Sequence, residues 1–318
     1  MKPDLLYIPG LDTRLRDMLE PEFTLYDLPG EKDQAAFLAE HGARFTAVAT
    51  SGTVGLPAAV MAALPNLKIV SCYGVGYDGI DAETAAARGI IVTHTPGVLN
   101  DDVANTAIML WLATSRRLPM LDRYVRDGRW EREGNAALTV SPQNRTVGIV
   151  GLGRIGQAIA DRLPPFGARI LYHTRSPKDV PYTYYANLTE MAREADVLIV
   201  ITPGGAETHH LINAEVIEAL GPEGILVNVA RGPVVDETAL IAALQDGRLG
   251  GAGLDVFEHE PVVPQALCEL DNVVLQPHIA SATVETRRAM AQLVGDNLIH
   301  YFREGTVLTP VPECQHLT

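Results

Sequence analysis

Cysteine is scarce in this chain: Cys72, Cys268 and Cys314 make an odd number with no CxxC spacing. That argues against a disulfide framework and against a cysteine zinc site, and a reducing cytoplasm is the expected location. Positive charge is also short, with 25 Lys and Arg against 39 Asp and Glu and a net charge of −14. A field of that sign repels nucleic acid and anionic membranes, so neither is expected as a partner. An anionic small substrate would need a local cationic site. Long hydrophobic runs are missing as well: "DVLIVIT" at 196–202 is far shorter than the roughly 18 residues of a membrane span. The N-terminal MKPDLLYIPG has one lysine, then Asp4, and Pro9 interrupts its apolar stretch, so it does not read as a signal peptide.

What is present suits a two-domain globular protein. The 318 residues suffice for two cores, and 47% hydrophobic with 20% charged residues excludes a disordered or fibrous chain. From 4 to 95, short apolar runs ("DLLYI", "FTLYDL", "FTAVAT", "LKIVSCYG", "IIVTHTP") alternate with helix-like stretches such as "DAETAAARG", where Asp81 is placed to cap and Gly89 to terminate. A long helix is expected from about Asp101 to Arg126, closed by Gly128, followed by a polar loop. A second βα series then runs through "TVGIVG", "RILYHT", "DVLIVIT", "GILVNVA", "GAGLDVF" and "NVVLQPH". A final helix from Val284 to Phe302 comes after the second lobe is complete and is expected to pack on the first. The pattern predicts an α/β protein of two doubly wound parallel-sheet lobes: a flavodoxin-like substrate domain, 1–98 plus 286–318, and a Rossmann dinucleotide-binding domain, 99–285. The crevice between lobes is the expected ligand site.

Strand, glycine turn and helix come together in "TVGIVGLGRIGQAIADRL". In Gly151-Leu152-Gly153-Arg154-Ile155-Gly156, Gly151 makes the tight turn, Gly153 lets backbone approach a pyrophosphate, and Gly156 packs helix on strand. The following helix start offers free N–H groups to phosphate. An NAD site would carry an acid about twenty residues later; here the strand ends in Thr174, Arg175 and Ser176. A guanidinium and two hydroxyls suit a 2′-phosphate, so NADP(H) is the expected cofactor.

Three polar residues follow strand ends in the second series: Arg231 after "ILVNVA", Glu260 after "GLDVF" and His278 after "NVVLQP". Together they suit reduction of a 2-keto acid. A guanidinium can hold the substrate carboxylate, an imidazole can give the carbonyl oxygen its proton, and a carboxylate can orient and charge that imidazole. His209 and His210 in "ETHHLIN" lack recognisable further ligands, and no metal site is expected. Glycines 74 and 76 in "YGVGYD" form a candidate anion nest or, more plainly, a turn into the next helix.

In "YGVGYDGID", "GLGRIG", "RGPVVDETAL", "GRLGGAGLDVFEHEP" and "NVVLQPHIASAT", nearly the whole chain resembles the D-isomer-specific 2-hydroxyacid dehydrogenases, in particular their NADPH-dependent glyoxylate, hydroxypyruvate and hydroxyphenylpyruvate reductase branch. The resemblance implies that Arg231, Glu260 and His278 are catalytic and that Val75 and Gly76 bind the substrate carboxylate through their N–H groups. It also implies that Asp255 partners the nicotinamide amide, that Val229 and Ala230 join the cofactor site, and that "TRS" at 174–176 holds the 2′-phosphate. Trp130 resembles a residue that reaches the neighbouring subunit in some members. The expected activity is NADPH-dependent reduction of a small anionic 2-keto acid, glyoxylate or hydroxypyruvate, to the D-2-hydroxy acid. An aromatic keto acid is the alternative substrate, with Val54 and Leu56 near that end of the pocket. A dinucleotide-sensing binding protein is the alternative outside enzymology. The "AIMLWLA" stretch at 107–113 suggests a homodimer.

Overall fold

A computed structural model describes residues 2–318, and the chain divides into two compact units, 1–99 with 282–318 and 100–281. In the first unit, strands β1 (Asp4–Tyr7), β2 (Thr24–Asp27), β3 (Ala47–Ser51), β4 (Ile69–Tyr73) and β5 (Ile91–Thr93) alternate with helices α1 (Thr13–Leu19), α2 (Glu31–His41), α3 (Ala58–Ala62) and α4 (Ala82–Ala87). All pairings are parallel, in the order β2-β1-β3-β4-β5, the flavodoxin-like order predicted. β4 is buried along its whole length, as expected of a strand covered on both faces. The Asp81 carboxylate accepts from Thr84 N–H at 2.9 Å and opens α4.

The second unit contains α5 (Asn100–Ser115), α6 (Leu118–Arg126), α7 (Arg129–Glu133), β6 (Thr146–Val150), α8 (Arg154–Ala160), β7 (Arg169–His173), β8 (Thr183–Tyr184), α9 (Leu188–Glu194), β9 (Val197–Val200), α10 (Ala214–Leu220), β10 (Ile225–Asn228), α11 (Glu237–Gln245), β11 (Gly251–Leu254), α12 (Gln265–Cys268) and β12 (Val273–Leu275). Its parallel sheet runs β12-β11-β10-β9-β6-β7-β8. The order reverses between β6 and β9, the position at which doubly wound sheets open a ligand crevice beyond their C-terminal strand ends. The short β8 was not foreseen, since two residues leave no periodic signal.

The chain then returns to the first unit in α13 (Val284–Glu304), which Thr283 caps by accepting from Thr286 N–H. This helix lies on β4, where Ser71 Oγ donates to Val294 O at 3.2 Å and Tyr73 OH to Arg287 O at 3.0 Å.

One sequence expectation is corrected. The single helix expected from 101 to 126 is two, α5 and α6, broken at Arg117, whose φ is +46°. Pro119 explains the break: it has no N–H for the helix ladder, and its ring would strike the carbonyl four residues back. No helix among the described residues is long and apolar enough to cross a membrane.

Candidate active site

The glycine turn joins β6 to α8. Gly151 has φ +100°, and a Cβ there would come within 2.8 Å of Ile201 O, beyond β9. A Cβ on Gly156 would come within 2.2 Å of Gly151 O, so helix and turn touch backbone to backbone. Gly153 is the opposite case: a Cβ would meet nothing within 4 Å. This open side is where a phosphate can approach the chain. α8 also starts on Gly153 without a side-chain cap, so its leading N–H groups have no side chain competing for them. Leu152 is buried beneath the turn, whereas Arg154 is exposed and Ile155 half-buried.

Beyond β7, Thr174, Arg175 and Ser176 form a tight polar turn in which Thr174 Oγ1 donates to Ser176 O at 2.6 Å. Arg175 is 94% exposed and its guanidinium lies 3.6 Å from the Glu207 carboxylate. A cradle with backbone donors and a loosely held guanidinium fits a phosphorylated dinucleotide.

Arg231 follows β10 and is set by a neighbour that sequence reasoning passed over. Asn228, 1% exposed, accepts from Ala230 N–H at 3.0 Å and donates to Arg231 O at 3.0 Å, bracing the turn of Val229, Ala230 and Arg231. Arg231 Nη1 donates to Ala230 O at 2.8 Å. Val229 and Ala230 are themselves buried.

Glu260 and His278 come from the loops after β11 and β12, and Nδ1–H of His278 donates to Glu260 Oε2 at 2.7 Å. Glu260 Oε1 accepts from Phe257 N–H at 3.0 Å, so both carboxylate oxygens are aimed. Burial pushes the Glu260 carboxyl up, but the His278 bond and charge, the Phe257 N–H and the Arg231 charge outweigh it, and the group titrates below its ordinary value.

Asp255, 1% exposed, builds the other side of the His278 loop. Its carbonyl accepts from His278 N–H at 2.7 Å, and its carboxylate oxygens accept from Ile279 N–H at 2.8 Å and Ala280 N–H at 3.0 Å. Burial pushes this carboxyl up despite those two N–H bonds and the His278 charge. Three bonds to one residue hold His278 at φ +52°, an angle that β-carbons disfavour. The sequence offered Asp255 only through the family resemblance, because a hydrogen bond from strand end to distant loop has no local pattern.

In the first unit, Val75 and Gly76 follow β4 and are half-buried. The bonds of this turn run to its carbonyls: Val75 O lies 3.0 Å from His94 Nδ1, and Gly76 O accepts from the Cys72 thiol at 3.7 Å. His94 is therefore a half-buried support of the turn rather than a solvated side chain. A Cβ on Gly52 would come within 2.1 Å of Gly76 O, which packs the turn against its neighbour loop. Val54 is 51% exposed but Leu56 only 1%, so Leu56 belongs to the core and cannot shape a pocket rim. Trp130 is exposed on α7, with Nε1 donating to Asn135 Oδ1 at 3.3 Å. His210 Nε2, in the loop after β9, lies 3.1 Å from Glu258 Oε1.

Comparison with known proteins gives this geometry a family. Residues 108–280, more than half the chain, match the model of the D-isomer specific 2-hydroxyacid dehydrogenase NAD binding domain. The chain is 48% identical over 308 residues to the hydroxyphenylpyruvate reductase of Plectranthus scutellarioides, covering 96% of this chain and 98% of that protein. It is 46% identical over 308 residues to glyoxylate/hydroxypyruvate reductase A of Arabidopsis thaliana, with the same two coverages of 96% and 98%. Among solved structures, the NADPH-dependent glyoxylate/hydroxypyruvate reductase of Sinorhizobium meliloti, in complex with NADP and malonate, matches with a TM-score of 0.94 and 49% identity, covering 99% of this chain and 98% of that one. Fold, glycine turn and sequence likeness agree: the chain belongs to the D-isomer specific 2-hydroxyacid dehydrogenase family.

Proposed function

We propose that this oxidoreductase uses NADPH to reduce a small 2-keto acid, glyoxylate or hydroxypyruvate, to the D-2-hydroxy acid. The observation that carries the reading is the 2.7 Å bond between His278 Nδ1 and Glu260, at the C-terminal edge of the sheet that bears the glycine turn. With Nδ1 tied to the carboxylate, Nε2 is left to hold the proton that the carbonyl oxygen takes up. The ionised Glu260 fixes the ring plane through that bond. Arg231, whose Nη1 donates to Ala230 O at 2.8 Å, carries the planar guanidinium that suits a carboxylate and is the group to hold that of the substrate. Val75 and Gly76, in the first unit, offer backbone N–H groups to the same kind of anion.

NADPH supplies the hydride when bound. Gly151, Leu152, Gly153, Arg154, Ile155 and Gly156 hold its pyrophosphate, Thr174, Arg175 and Ser176 its 2′-phosphate, and Val229, Ala230 and Asp255 its nicotinamide end. The exposed guanidinium and the NADP in the Sinorhizobium relative support this choice of cofactor. The family's dehydrogenase activity weighs against a purely dinucleotide-sensing role.

The test is a panel of glyoxylate, hydroxypyruvate and hydroxyphenylpyruvate with NADPH and with NADH, reading kcat/KM. The small substrates with NADPH are expected to lead. Absence of turnover with every keto acid despite tight NADPH binding would sink the reading. The Plectranthus relative favours hydroxyphenylpyruvate as the second substrate class; a lead for it in the same panel selects that class. Reaction in the cytoplasm and assembly as a homodimer complete the proposal.

A further inference from the structure

His209, His210 and Glu258 lie together in the second unit, outside the groups assigned to hydride and proton transfer. One potential ligand atom from each falls within 4.8 Å of the other two. We propose that these three residues form a binding site for one divalent transition-metal ion of borderline softness, such as Zn2+, with water completing the coordination.

The donor set has the right chemistry. Two imidazoles and a carboxylate suit zinc and its neighbours, whereas Mg2+ and Ca2+ prefer oxygen throughout. The spacing is suitable too. Tetrahedral bonds of about 2.0–2.1 Å place neighbouring ligand atoms about 3.3 Å apart, and His210 Nε2 stands 3.1 Å from Glu258 Oε1. The His209 ring lies on the His210 ring, centroids 4.0 Å apart, and His209 is exposed, so its ring can turn to bring a nitrogen to the same point.

The backbone behind these side chains is fixed. His210 N–H donates to Pro233 O at 2.8 Å and Ile212 N–H to Val234 O at 3.0 Å, which pins the loop after β9 to the loop after β10. Glu258 N–H donates to the nearly buried Glu237 carboxylate at 3.3 Å, which pins the loop after β11 to the start of α11. His210 keeps φ +50° within this arrangement, an angle that costs a side-chain-bearing residue energy and that the bonds at either side maintain. A metal ion here ties the loop after β9 to the loop after β11, two residues before Glu260. Sequence alone could not assemble the site, because 48 residues separate His210 from Glu258.

The experiment uses tag-free full-length protein stripped with chelator, titrated with ZnCl2 by calorimetry and with CoCl2 by visible absorption. One equivalent of Zn2+ is expected to bind, Co2+ to give four-coordinate d–d bands without a thiolate charge-transfer band, and Mg2+ not to compete. Saturation should raise the Tm by several degrees through linkage. His209→Ala and Glu258→Gln should each weaken Zn2+ by at least roughly tenfold, and Cys268→Ser, which removes an exposed thiol, should change nothing. Glu258→Gln can keep a hydrogen bond to His210, so loss of metal there reads ligation rather than folding. In metal-free buffer His209→Ala should retain the wild-type Tm and reductase rate. Absence of saturable Zn2+ binding, or binding that survives both His209→Ala and Glu258→Gln, overturns the proposal.

Discussion

His278, the proposed proton donor, shows how much support a single side chain needs. Its Nδ1 is committed to Glu260 and its backbone to Asp255, so replacing the ring removes the proton donor without disturbing the glycine turn. His278→Ala should therefore lose roughly a hundredfold or more of the reductive rate while NADPH still binds, as fluorescence titration would show. Glu260 has a pH signature. Its folded-state carboxyl titrates below its ordinary value, so its contribution to stability is present above the unfolded carboxylate pKa and lost as pH falls through the folded one. Glu260→Gln should lower the Tm at pH 7, and the gap to wild type should close below about pH 4. Asp255 has the opposite sign: burial raises it, so its ionised form costs stability and acid relieves the cost. The charge is nonetheless what holds the Ile279 and Ala280 N–H groups and hence the His278 loop. Arg175 is the simplest residue to test, because it is 94% exposed and its ion pair with Glu207 lies in solvent. Arg175→Asp should leave the Tm unchanged and move the NADPH/NADH ratio of kcat/KM toward NADH by about tenfold or more, as expected for losing a charge-assisted contact.

At the scale of elements, the β6-turn-α8 unit separates two jobs that glycine does in one motif. Gly156→Ala drives a methyl into the backbone oxygen of Gly151, which cannot yield cheaply, and should cost about 1–3 kcal/mol, seen as a lower denaturation midpoint. Gly153→Ala meets open space and should leave that midpoint unchanged while raising the KM for NADPH, because its methyl occupies the phosphate's approach. The same motif explains why the sequence was legible here: strand, glycines and helix are contiguous, so local rules suffice. The α5–α6 break was less legible, since the apolar pattern continues across it and Pro119 was the one signal against a continuous helix.

At the scale of the molecule, the apolar face expected of 107–113 is mostly turned inward. Leu110 and Trp111 are fully buried, and Met109, at 44% exposure, is joined on the surface by Leu118 at 58% and Val125 at 57%. Ile108, Met109, Leu112, Leu118 and Phe166 line an apolar groove, the face on which the proposed homodimer would form. Sedimentation should show a dimer, and Met109→Lys with Leu118→Lys should give monomers; an unchanged dimer would place the interface elsewhere.

By itself the sequence determined the two βα series and the glycine turn, and it singled out Thr174-Arg175-Ser176 and the proposed trio Arg231, Glu260 and His278, because these depend on local periodicity and residue chemistry. It did not contain the Asn228 brace behind Arg231, the three bonds from Asp255 that hold the His278 loop, the burial of Leu56, or the meeting of His209 and His210 with Glu258. The Asp255 bonds and the histidine–glutamate meeting are contacts between loops at the ends of different strands. Only the parallel sheet, by setting its strand ends side by side, decided which distant residues would touch.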